Sequence, residues 1–99
     1  MIVPPIARPP PTVEACEKCF NILTVSQKSV FEDDLSRKIP GVTTIEELCQ
    51  LLQNEHNSIE DPTETLEAVD ESLNLLVETD VISQFVSSSI SSCLKSLYG

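Results

Sequence analysis

Only two glycines punctuate these 99 residues, Gly41 and Gly99. Few turn signals mean few elements, and long ones. No sustained period-two segment appears, so strands are not expected. Apolar residues instead recur at helical spacing, and at 40% of the chain they suffice for one modest core. These constraints predict an all-α fold: a compact bundle of four to five amphipathic helices behind an extended Pro-rich N-terminal arm.

The arm is residues 1–11, where Pro4, Pro5, Pro9, Pro10 and Pro11 fix φ near the polyproline II value and remove backbone donors. Residues 12–99 form the single helical domain. Its first helix is expected behind a Thr12 N-cap, with Glu14 and Glu17 in the turns where the macrodipole favours anions. Val13, Cys16, Phe20 and Leu23 make its apolar stripe. The stripe stutters over Thr24-Val25-Ser26-Gln27 and resumes as Val30, Phe31, Leu35 and Ile39. That predicts one bent helix or two short ones, with Ser29 and Glu32 as a capping box for a second start. Pro40-Gly41 ends the segment.

The next helix opens at Thr43 or Thr44, buries Ile45, Leu48, Cys49 and Leu52, and stops near Asn57. The one after it has the clearest start. Asp61 caps, Pro62 takes the first helical position, and Glu64 completes a capping box. Leu66, Val69, Leu73, Leu76 and Val77 face inward. The last helix is expected from Thr79 or Asp80, either continuous with its predecessor or broken from it. Its stripe is Ile82, Phe85, Val86, Ile90, Cys93, Leu94 and Leu97. Seven serines fill the other positions, and Lys95 is the only charge after Val81. Such a low-charge helix is expected at the centre of the bundle, surrounded on all sides.

Charge is distributed one-sidedly. No Lys or Arg lies between Ile39 and Leu94, whereas eleven Asp and Glu residues do. A net charge of −10 argues against direct nucleic acid binding and against anionic membrane surfaces. No apolar run is long enough for a membrane span. On the predicted third helix Glu64, Glu67, Glu71 and Glu78, with Asn74 in the gap, form one continuous face opposite the apolar stripe. Lysines that would relieve these like-charge neighbours are missing. A surface of one sign self-repels and persists most readily where something cationic uses it.

Four cysteines invite other readings. Met1-Ile2-Val3-Pro4-Pro5 lacks the basic and apolar regions of a signal peptide, so the chain is expected to be cytoplasmic and its thiols reduced. Cys16-Glu17-Lys18-Cys19 is a CxxC, but a zinc site needs a second pair at comparable spacing. Cys49, His56 and Cys93 are scattered, so no metal site and no cofactor is expected. Cys16 and Cys49 fall on apolar stripes, where a thiol packs as a small hydrophobe. His56 has no visible nucleophile or orienting carboxylate arrangement, and two glycines make no phosphate loop, so an enzyme is not expected.

In size and composition the chain resembles small acidic helical proteins that act by binding, such as immunity proteins, antitoxins and adaptor subunits, without a motif for any of them. The expected function is a small non-catalytic regulator, an inhibitor or adaptor, presenting Glu64, Glu67, Glu71 and Glu78 to a basic protein partner. One alternative is an assembly subunit, a homodimer for example, that oligomerises through the Ser-rich last helix. The other is a dithiol metal or redox module built on Cys16 and Cys19.

Overall fold

The computed structural model describes residues 11–58 and 61–98. Five helices follow in order: α1 (Val13–Cys19), α2 (Val25–Lys38), α3 (Ile45–Asn57), α4 (Thr63–Glu78) and α5 (Gln84–Tyr98). No strand occurs among the described residues. The arm predicted at 1–11 lies outside them except for Pro11, which is buried.

Local chemistry explains the boundaries. Thr12 caps α1 by accepting from Ala15 N at 3.1 Å. The chain then breaks after Cys19, and α2 restarts behind a complete capping box. Thr24 Oγ1 accepts from Gln27 N at 3.1 Å while Gln27 Oε1 accepts from Thr24 N at 2.9 Å. Two helices therefore form where the stutter predicted a break, but the box is Thr24–Gln27 rather than Ser29–Glu32. Ser29 lies inside α2.

Gly41, at φ +87°, supplies the left-handed residue between α2 and α3. Thr44 is the α3 cap, accepting from Glu47 N at 3.1 Å. Pro62 occupies the N-cap of α4, one residue earlier than its expected place inside the helix. Asp61 still satisfies the helix start, because its Oδ1 accepts from Thr63 N at 3.0 Å. Helices α4 and α5 are not continuous. Asp80 turns the chain with φ +60°, and Ser83 Oγ accepts from Val86 N at 3.3 Å.

The helices touch in the sequence α3–α1–α5–α4–α2. Glu32 of α2 accepts from Ile45 N at 2.8 Å and so joins the outermost two. Phe20 and Phe31 meet at the centre, ring centroids 5.2 Å apart, both fully buried. Leu35, Leu48, Leu52, Val69, Leu73, Leu76 and Ile90 are buried with them in the core.

Two packing expectations are overturned. Phe85, read as a core residue, is 73% exposed. Its spacing from Ile82 spans the break before α5, so the two never share a helix face. Helix α5 is also not surrounded. Ser87, Ile90, Leu94 and Tyr98 are buried, but Ser88, Ser92, Lys95 and Ser96 are exposed.

One part-buried ion pair ties pH to stability. Lys38 Nζ lies 2.5 Å from Asp34, whose side chain is only 13% exposed. Burial works to raise the Asp34 pKa, but the Lys38 ammonium and the neighbouring Ser72 hydroxyl outweigh it and hold the carboxyl below its ordinary 3.8. A folded-state pKa below the unfolded value contributes stability that is present above 3.8 and lost as pH falls through the depressed value. The melting temperature should therefore decline below pH 3.8 in the native protein, and Asp34→Asn should flatten that part of the profile.

Candidate functional site

Sorting the acidic residues by what they touch separates structural carboxylates from idle ones. Glu47 accepts from the Thr43 hydroxyl and from Thr44 at 3.3 Å, and these bonds hold its pKa down. Thr63 does the same for Asp61. Glu55 accepts from Thr65 Oγ1 at 2.7 Å, linking α3 to α4. Asp70 accepts from Ser91 Oγ at 2.7 Å and faces Lys95 Nζ at 3.5 Å, linking α4 to α5. Glu60 lies outside the described residues.

What remains on α4 is the predicted face. Glu64, Glu67, Glu71, Asn74 and Glu78 are all exposed. They lie opposite Val69, Leu73 and Leu76, which are buried to 1% exposure or less. The helical period explains this: a stripe bound to the core leaves the opposite residues in water.

The cations do not reach the face. Three Lys/Arg ion pairs form among the described residues: Arg37–Asp33, Lys38–Asp34 and Lys95–Asp70. The first two are spent within α2, one helical turn apart. None touches Glu64, Glu67, Glu71 or Glu78. The four glutamates thus concentrate acidic side chains along about four turns of helix.

The cysteines are where sequence reasoning failed. Cys16 is disulfide-bonded to Cys49 and Cys19 to Cys93, and no described cysteine is free. Each pair has a Cα–Cα distance of 5.6 Å, within the ordinary range for a bridge. The expectation of reduced thiols is corrected accordingly. So is the dithiol reading of the CxxC, since Cys16 and Cys19 bond to different helices rather than acting as a pair. In a helix, residues three apart point to neighbouring sectors, so α1 can be stapled to α3 on one side and α5 on the other. Burial on apolar stripes was legible; the pairing was not.

Among the described residues no group of three His, Cys, Asp or Glu side chains is placed to hold a metal ion. His56 is exposed at the end of α3, its ring edge-on to Tyr98 with centroids 5.9 Å apart. Burial pushes the Tyr98 hydroxyl above its usual pKa. No described helix is long and apolar enough to cross a membrane. Comparison with known protein families, curated proteins and solved structures returned no match.

Proposed function

We propose that this protein is a non-catalytic binding module, of inhibitor or adaptor type, that presents the acidic face of α4 to a basic protein partner. The observation that carries the reading is the isolation of Glu64, Glu67, Glu71 and Glu78, exposed together and absent from every Lys/Arg ion pair among the described residues. Neighbouring like charges on a helix cost a few tenths of a kcal/mol per pair. A partner carrying Lys or Arg at matching spacing relieves that repulsion and gains steering from it.

The two disulfides change where this happens. Such bridges persist in oxidising environments and are rare in a reducing cytosol. The cytoplasmic expectation rested on the lack of a signal-peptide pattern at Met1-Ile2-Val3-Pro4-Pro5, and reduced thiols followed from it; in this reading, which the two disulfides support, the module works in an oxidising compartment or outside the cell.

Charge reversal tests the face. Glu64→Lys, Glu67→Lys and Glu71→Lys are surface changes, so the combined variant should keep the far-ultraviolet circular dichroism of the native protein. Used as bait on an extract of the native host, the native protein should retain basic proteins that the variant loses. Recovery of the same partners by both would contradict the reading.

A further inference from the structure

The two disulfides differ in what surrounds them. Cys16 and Cys49 are both 0% exposed, so a reagent in solution reaches neither sulfur while the protein stays folded. The second bridge joins Cys19, 5% exposed, to Cys93, which is only partly buried on α5. Cys93 is therefore the most exposed of the four cysteines.

The helix around Cys93 explains the opening. Ser89 and Ser96 stand one turn away on either side, and Ser92 is the adjacent residue. Ser92 and Ser96 are exposed and Ser89 is half-buried. Side chains this short do not roof over a neighbouring sulfur as Leu or Lys would.

Charge favours the same place. A disulfide is attacked by a thiolate, which is an anion, and this chain carries a net charge of −10. Helices α1, α2, α3 and α4 all contain Asp or Glu, whereas α5 contains neither. The one charged residue of α5 is Lys95, two positions from Cys93. Across the bridge α1 brings Lys18 beside Cys19, exposed and outside every ion pair of the described residues, together with Glu14 and Glu17. The opened state also has a place for its proton. Cys19 Sγ lies 3.6 Å from Ala15 O, so a free Cys19 thiol can donate to that carbonyl.

We propose that the Cys19–Cys93 bridge is a site of thiol–disulfide exchange with small thiols, entered at Cys93, while Cys16–Cys49 is a permanent staple. The attacking thiolate bonds to Cys93 Sγ as the S–S bond breaks. Cys19 leaves with the electron pair and takes a proton from water. A second thiolate then attacks the small-molecule sulfur of the mixed disulfide, which frees Cys93 and releases the reagent as its own disulfide. Two small thiols are oxidised and one cystine is reduced to two cysteines. The exchange detaches α5 from α1 and leaves α1 bound to α3 through Cys16–Cys49. This site is separate from the glutamate face and does not depend on its role.

The test exposes the full, oxidised chain to reduced glutathione under native conditions, traps free thiols with N-ethylmaleimide over time, and maps the peptides by mass spectrometry. The first product should carry glutathione on Cys93 and the trap on Cys19, with helical circular dichroism retained. Cys19 and Cys93 should be released roughly tenfold or more faster than Cys16 and Cys49, because the buried pair waits on opening of the fold. The Cys93 rate should rise with glutathione concentration and barely change with urea below the unfolding transition, while the Cys16–Cys49 rate climbs with urea. The proposal is overturned by any of three results: a first adduct on another cysteine, release of all four thiols at one rate, or a Cys93 rate that climbs with urea as steeply as that of the buried bridge.

Discussion

A chain carrying Cys19→Ser and Cys93→Ser melts on the order of 10–25 °C below the oxidised native protein. The bridge it lacks spans 74 residues of sequence, and loop-closure entropy for a loop that long amounts to about 4.4 kcal/mol. The Cys16–Cys49 bridge spans 33, equivalent to about 3.7 kcal/mol on the same relation. Residues 19–49 belong to both loops, so the two contributions overlap and their sum is an upper bound. Even so, either is a large share of the roughly 5–15 kcal/mol that holds a small domain folded. The short α1 explains the dependence. Seven residues make too little helix to stand alone, and α1 packs on both α3 and α5. Differential scanning calorimetry of both double-serine variants measures the effect. Mass spectrometry of unreduced peptides checks the pairing that underlies it. Melting within a few degrees of the native protein, or free thiols in the native protein, would refute this part of the account.

Association with the basic partner should slow roughly 10- to 1,000-fold between low and high salt. The carboxylates of α4 are exposed, and exposed charges act over a Debye length that shrinks from about 10 Å at 0.1 M to about 3 Å at 1 M. The steering is therefore screened, while the contacts made after docking are screened less. Stopped-flow mixing with the partner recovered by the charge-reversal comparison gives the rate directly. The dissociation rate should change far less than the association rate. An association rate indifferent to salt would point to an apolar interface instead.

The element pattern was largely legible because caps and stripes are local. Thr12, Thr44 and the Asp61–Pro62 pair announce helix starts within a few residues of where they act. The apolar stripes of α3 and α4 need only the helical period. The acidic face was legible for the same reason, being the complement of Leu66, Val69, Leu73 and Leu76. Errors arose where a pattern was carried across a break or between distant segments. The Ile82–Phe85 spacing looked helical, but the chain between them is a turn, and the ring ended in water. The Ser29–Glu32 pair matched a capping box that lost to Thr24–Gln27, whose Gln27 amide also reaches Val81 O at 3.0 Å. That contact crosses 54 residues and leaves no mark in a local window.

The disulfides were least visible. Four cysteines allow three connectivities, and nothing in their spacing chooses among them. The choice is made by α1, which lies between α3 and α5 and turns one cysteine toward each. Ser87 was hidden in the same way. Among the six serines of α5, Ser87 alone is buried, and no local pattern sets it apart from the others.

The idea that a helical body leaves one face unneutralised so that a cationic surface can dock there is tested most directly by amide-shift mapping with the recovered basic partner. The native, oxidised protein should show its largest perturbations at Glu64, Glu67, Glu71, Asn74 and Glu78, and these should vanish on charge reversal. Perturbations centred instead on the exposed side of α5, around Ser92 and Ser96, or undiminished in the charge-reversed protein, would contradict it.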